Sequence, residues 1–179
     1  MDIRALDFDE LQEYLLQIGE PAFRTKQFFS WLHNQQITDF EQAHNVGKKL
    51  LQSLTLDGYE LIDPVLKQRF VSKDGTEKYL MELADGSLIE CVLMRYRGDF
   101  SKQRNTLCVS SQVGCAMGCV FCASYEKGAT RNLTPAEIYD QILWAQKDRG
   151  VRVSNIVLMG TGEPLDNYDN VLTFLRIVT

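Results

Sequence analysis

"GCAMGCVFC", residues 114–122, holds three of the chain's five cysteines, and its flanks decide the fold. Cys115, Cys119 and Cys122 form C-x-x-x-C-x-x-C. Before them "TLCVSSQV" reads as a strand. After them "TPAEIYDQILWAQKD" reads as a helix, with Thr134 as N-cap, Pro135 in the first position and Glu137 completing a capping box. Ile138, Ile142 and Ala145 form its inner stripe. "SNIVLMG" is a continuous apolar run, as expected of a strand buried in a parallel sheet. "TGEP" is a turn, and "NYDNVLTFLRIV" begins another helix. This strand–loop–helix alternation predicts the start of a parallel α/β sheet or barrel. Ligands of such folds gather at the carboxyl ends of the strands, where both the cysteine loop and the TGEP turn fall.

Spacing alone leaves three chemistries open for the loop. A structural zinc site closes with four Cys or His ligands. His33 and His44 lie far upstream, off finger spacing, so Cys108 would have to reach in from the preceding strand. A thioredoxin-like redox pair would use Cys119 and Cys122 and leave Cys115 unexplained. A four-iron cluster held by three thiolates keeps one iron open for a substrate or cofactor. Gly114 and Gly118 would let the loop wrap closely around it.

Upstream, residues 1–60 read as helices. Asp7 is placed to cap "FDELQEYLLQI", with Leu11, Leu15 and Ile18 at helical spacing and Gly19 as a stop. "AFRTKQFFSWLHN" is a second helix whose Phe28, Phe29, Trp31 and Leu32 suit core packing better than base stacking. Thr38 and Glu41 predict a capping box for a third, and "KKLLQSL" a fourth. From about residue 65 to 97, "KDGT" and "ADGS" are hairpin turns between strands. In "SLIECVLM", Ile89, Cys91 and Leu93 share one face; Leu88, Glu90, Val92 and Met94 share the other. Glu90 is then either an edge-strand carboxylate in solvent or a desolvated carboxyl suited to proton transfer.

The chain has 179 residues and 45% hydrophobic content, enough for a substantial core. No run approaches the roughly 18 apolar residues of a membrane span, and the acidic start is unlike a signal peptide. The expected location is therefore the cytoplasm, where clustered thiols suggest metal or redox sites. The net charge of −5 lies in residues 1–60, with five basic against ten acidic side chains; the rest balances. Nucleic-acid binding must then rest on local patches. The candidates are Arg95, Arg97, Lys102 and Arg104 against Asp99 alone, with Lys127 and Arg131 beside the loop.

The three-cysteine motif after a first barrel strand resembles the radical S-adenosylmethionine enzymes. "TLCVSSQVGCAMGCVFCAS", "RNLTPAEIYDQI" and "LMGTGEPLDNYDNV" are similar to the adenine methyltransferases that modify large-subunit ribosomal RNA and transfer RNA at C2. "AFRTKQFFSWLHNQQITDFEQ" and "SKDGTEKYLMELADGSLIECVLM" resemble the same family's N-terminal region, which speaks against the glycyl-radical activating enzymes of the superfamily. A close relative methylates C8 and is barely separated by these motifs.

The resemblance implies a [4Fe-4S] cluster on Cys115, Cys119 and Cys122, its open iron chelated by S-adenosylmethionine. It implies that Gly162 and Glu163 bind that cofactor's amino group and that Glu90 is a proton acceptor. Cys108 is the implied resolving cysteine, forming a transient disulfide with a methyl-carrying cysteine near the family's C-terminus. Tyr125 and Thr161 depart from the usual pattern without removing a ligand. The implied partners are both RNA classes and a one-electron donor such as a flavodoxin, with a monomeric protein and no membrane.

The expected architecture is an α+β N-terminal region, helical bundle plus β-hairpins, followed by two βα units of an incomplete α/β radical S-adenosylmethionine barrel. The expected divisions are a helical RNA-binding domain over 1–60, a hairpin segment and linker over 61–104, and the start of the barrel over 105–179. Relatives run to about twice this length, so a truncated chain unable to complete methylation is also expected.

Overall fold

The structure, a computed structural model, describes residues 1–96, 104–124 and 128–179. Asp7 caps helix α1 (Phe8–Gln17): its side chain accepts the Glu10 N–H while the Glu10 side chain accepts the Asp7 N–H. This reciprocal capping satisfies two backbone donors that the first turn leaves orphaned. Helices α2 (Phe23–His33) and α3 (Lys48–Leu56) complete the helical part. Leu11, Leu15, Phe28, Leu32, Leu50 and Leu54 form its core.

The helix expected from Thr38 and Glu41 does not form. Asp39 takes the capping role instead, accepting the Glu41 N–H at 2.8 Å, and the segment makes one 3-10 turn over Phe40–Gln42. Thr38 donates its own N–H to the Gln42 side chain. An Asp that bonds the backbone two residues on favours a turn over helix propagation.

Strands β1 (Val65–Val71), β2 (Glu77–Glu82) and β3 (Leu88–Tyr96) form two hairpins. Strand β4 (Arg104–Cys108) pairs antiparallel with β3. A two-stranded ribbon, β5 (Gln112–Gly114) with β6 (Ala129–Asn132), flanks the cysteine loop. Helix α4 (Pro135–Arg149) then crosses to β7 (Asn155–Val157), which pairs parallel with β4, and α5 (Tyr168–Val178) follows. The main sheet has the order β1-β2-β3-β4-β7 and is mixed, antiparallel except at its last pair.

Two expected strands are shorter than their apolar runs. "TLCVSSQV" divides into β4 and β5, because Ser110 and Ser111 leave the ladder, Ser110 to bond the Gln141 side chain and Ser111 the Thr161 carbonyl. "SNIVLMG" is strand only over Asn155–Val157, and Met159 is largely exposed.

One sheet face carries Tyr79, Met81, Ile89, Cys91, Leu93 and Leu107, all buried against Ile138, Ile142, Leu143, Val171 and Phe174 of α4 and α5. Each fully buried aliphatic side chain contributes roughly 1.5–3 kcal/mol. The Thr134–Glu137 capping box forms as expected. The opposite face carries Lys78, Glu90, Val92 and Cys108, since paired residues share a side. Arg4 is fully buried, with Asp2, Asp63 and Asp140 within 3.2 Å, and joins the N-terminal segment to α4. No described helix is long and apolar enough to cross a membrane.

Candidate cluster and cofactor site

The site lies where the carboxyl ends of β4 and β7 emerge side by side. Beyond β4 the backbone continues against the chain after β7. Val109 donates to the Val157 carbonyl, Gly160 to the Val109 carbonyl and Ser111 to the Thr161 carbonyl, at 2.9, 3.0 and 2.9 Å. Thr161 in turn donates to Ser110 Oγ at 3.0 Å. The TGEP turn is thus laced to the segment entering the cysteine loop.

Two close approaches at this site leave no room for a side chain. A Cβ on Gly162 would lie 2.7 Å from the Gln112 backbone nitrogen and 2.8 Å from Ser111 Oγ, and its φ is +107°. A Cβ on Gly114 would lie 1.8 Å from the Gly128 carbonyl oxygen, where β5 and β6 close the neck of the loop. Only glycine fits either place.

Within the loop, Cys119 and Cys122 are exposed and Cys115 is half-buried. Cys115 donates its N–H to the Gly128 carbonyl, and Cys122 donates to the Cys119 carbonyl. Cys122 Sγ accepts the Ser124 N–H at 3.4 Å. No three His, Cys, Asp or Glu side chains converge among the described residues, so the three cysteines share a loop without forming a closed metal shell. All five cysteines are free, so none is in a disulfide.

Gly162 begins the turn and Glu163 caps the following 3-10 turn, its carboxylate accepting the Leu165 N–H at 3.0 Å. Cys108, at the end of β4, is half-buried, and burial pushes its thiol pKa up. Cys91 lies in the core, as its apolar face predicts, its thiol pushed up to about 12 by burial.

Glu90 is not desolvated. Its side chain is 47% exposed and pairs with Lys78 at 3.1 Å, because Lys78 is its diagonal neighbour on β2. It does share a sheet face with Cys108.

The basic residues are less available than their sequence grouping suggests. Arg95 pairs with the buried Glu77 at 2.9 Å. Arg131 is held by both oxygens of Glu137 and by Asp85. Arg104 is exposed; Arg97, Asp99, Lys102, Tyr125 and Lys127 lie outside the described residues.

Buried amide side chains went unmarked in the sequence. Gln141 of α4 accepts the Ser110 N–H at 2.8 Å and donates to the Ser110 carbonyl at 3.0 Å. Asn167 donates to the Ser111 and Leu133 carbonyls, both at 2.8 Å. These amides satisfy backbone groups released where β4 ends. The available signal was a Gln on the inner face of α4, three residues after Ile138.

The arrangement fits an iron–sulfur cluster with S-adenosylmethionine. Three soft thiol donors stand on a tight loop at the strand ends. Beside them is a glycine cradle that a Cβ would fill, and Ser111 Oγ is buried there with no hydrogen-bond partner among the described residues.

Comparison with known proteins agrees. Residues 1–57 match the Ribosomal RNA large subunit methyltransferase N-terminal domain, and residues 109–179 match the Radical SAM superfamily. The chain is 50% identical over 175 residues to the probable dual-specificity RNA methyltransferase RlmN of Clostridium perfringens, covering 97% of this chain and 49% of that protein. It is 49% identical over 180 residues to the protein so named in Lachnoclostridium phytofermentans, covering all of this chain and 49% of that one. A crystal structure of a radical SAM methyltransferase from Sphaerobacter thermophilus superposes with a TM-score of 0.84 at 37% identity, over 99% of this chain and 52% of that one. The chain therefore spans about half the length of the curated relatives it matches, and over that span it is similar to the dual-specificity RNA methyltransferases of the radical S-adenosylmethionine superfamily.

Proposed function

We propose that these residues form the cluster-binding half of an enzyme that methylates adenine C2 in large-subunit ribosomal RNA and transfer RNA, through a methylated cysteine distinct from Cys108. The observation that carries this reading is the junction of β4 and β7. It sets the three-cysteine loop beside the TGEP turn, both at strand carboxyl ends.

In this reading Cys115, Cys119 and Cys122 hold a [4Fe-4S] cluster, and Gly162 and Glu163 take the amino group of S-adenosylmethionine. When bound, cluster and cofactor supply radical hydrogen abstraction, which answers the poor nucleophilicity of adenine C2. Glu163 offers a carboxylate to an ammonium group, while Gly162 lets the backbone approach closely. Cys108 resolves the covalent RNA adduct: its sulfur bonds the sulfur of the methyl-carrying cysteine, whose bond to the transferred carbon breaks and frees the methylated adenine. Glu90, on the same sheet face as Cys108, accepts the proton that leaves adenine C2, its carboxylate held by Lys78. A flavodoxin-type protein supplies the electron, and the reaction belongs in the cytoplasm.

The test is a chimera in which residues 1–179 replace the matching half of the Clostridium perfringens relative. It is expressed in cells whose RNA lacks the modification. Nucleoside analysis by mass spectrometry is expected to show 2-methyladenosine in both RNA classes, lost in the Cys119→Ala chimera. Unmodified adenosine or 8-methyladenosine from a chimera carrying its cluster would contradict the proposal.

A further inference from the structure

Gln112 is buried, at 3% exposure, three residues before Cys115. A buried carboxamide is costly unless both its ends are bonded. Here both are, and to different elements. Its Nε2 donates to Asn132 Oδ1 at 2.8 Å, across the ribbon to the strand that leaves the cysteine loop. Its Oε1 accepts the Glu163 N–H at 2.9 Å, in the TGEP turn. Asn132 continues the chain by donating to the Asp166 carbonyl at 3.2 Å. The backbone of Gln112 also faces Thr161, donating to its carbonyl at 3.3 Å.

We propose that Gln112 is a positioning residue: its side chain ties the neck of the cysteine loop to the Glu163 amide and so fixes where the Glu163 carboxylate stands relative to the three thiols. This rests on the reading of Gly162 and Glu163 as the cofactor's amino-group site. The backbone already ties Thr161 to Ser111, but the Glu163 N–H meets a side chain, not the regular ladder, so the placement of Glu163 itself depends on residue 112. A carboxylate meant for an ammonium group must be held within a fraction of an ångström of its working position. Gln112 supplies that constraint without touching the cofactor.

The test uses the full chain, anaerobically loaded with iron and sulfide and reduced with dithionite, and titrates S-adenosylmethionine against the cluster's electron paramagnetic resonance signal. Gln112→Met keeps length and apolar volume but loses both hydrogen bonds. It is expected to retain wild-type iron content and to weaken S-adenosylmethionine about five- to tenfold, the worth of one buried hydrogen bond. In a Glu163→Ala background, Gln112→Met is expected to add less than about twofold, because the two residues act as one unit. A merely structural role would give the same loss in both backgrounds.

A readout independent of the cluster accompanies this: in metal-free chain the Glu163 amide is expected to exchange hydrogen about tenfold faster in Gln112→Met, with core amides unchanged. Wild-type affinity in Gln112→Met, equal losses in both backgrounds, or unchanged Glu163 exchange would each overturn the proposal. Failure of wild-type chain to gain a cluster, or full affinity in Glu163→Ala, would instead overturn the underlying reading of the site, and the inference with it.

Discussion

Cys108 and Glu90 stand on one face of the sheet, one diagonal step apart across β4 and β3, because Val92 is the register partner of Cys108. The core lies on the other face, behind Cys91 and Leu93. The chain's two strand cysteines therefore meet different surroundings, although each is an ordinary thiol in the sequence.

This separation predicts an order of thiol reactivity. In metal-free chain at pH 8, iodoacetamide is expected to label Cys119 and Cys122 first and Cys108 more slowly, its thiol pKa raised by burial. Cys91, pushed up to about 12, is expected to react only on unfolding. Peptide mass spectrometry over time gives the order directly. Early labelling of Cys91 would contradict the register described for β3.

The glycine contacts predict two different failures. Gly162→Ala places a methyl group against Ser111 and Gln112 at a positive φ, and is expected to cost about 1–3 kcal/mol while sparing iron uptake. Gly114→Ala drives a methyl into the Gly128 carbonyl and is expected to lower iron content severalfold, because the neck of the loop must open. Denaturant melts and iron analysis of the two variants separate these outcomes.

His33 predicts a pH dependence. Its ring nitrogens are buried without partners among the described residues, and it packs between Phe29 and Tyr139 at 4.3 and 4.8 Å. Burial first, and then the Arg4 charge, lower its pKa to about 3. The unfolded chain protonates this group near pH 6.5 while the folded chain resists, so stability falls as pH drops from about 6.5 toward 3. The slope from one such proton is at most about 1.4 kcal/mol per pH unit. Between pH 7 and 5 the wild type is expected to lose roughly 2 kcal/mol more than His33→Phe, read from urea melts.

Arg4 predicts an asymmetry between partners. Arg4→Met leaves Asp2, Asp63 and Asp140 without their shared cation and is expected to cost about 3–5 kcal/mol. Asp140 is held well above the ordinary carboxylate range, chiefly by burial, so ionising it opposes folding as pH rises above that range. Asp140→Asn is expected not to destabilise at pH 7. Paired denaturant melts check both.

Much of this was legible in the sequence because it depends on local chemistry. Asp7 with Glu10, and Thr134 with Glu137, mark helix starts through bonds made within three residues. The Asp-Gly turns fix two hairpins and thereby set Glu90 opposite the core face. The strand–loop–helix alternation located the cysteine loop and the TGEP turn at strand ends, and the fold places them there. What escaped depends on distant partners. The division of "TLCVSSQV" follows from hydrogen bonds to the chain after β7 and to Gln141. The exposure of Glu90 follows from Lys78 on another strand, and the engagement of Arg95 and Arg131 from carboxylates far away in sequence. Residue type alone encodes none of these.

The most direct test of the account is anaerobic reconstitution of the chain with iron and sulfide, followed by metal and sulfide analysis and electron paramagnetic resonance of the dithionite-reduced sample. The account predicts a brown protein with about four irons and four sulfides per chain. Its reduced signal should shift when S-adenosylmethionine is added, and both signal and iron should be lost in Cys115→Ala, Cys119→Ala and Cys122→Ala. Stoichiometric zinc without a chromophore, or a cluster whose signal ignores S-adenosylmethionine, would contradict it.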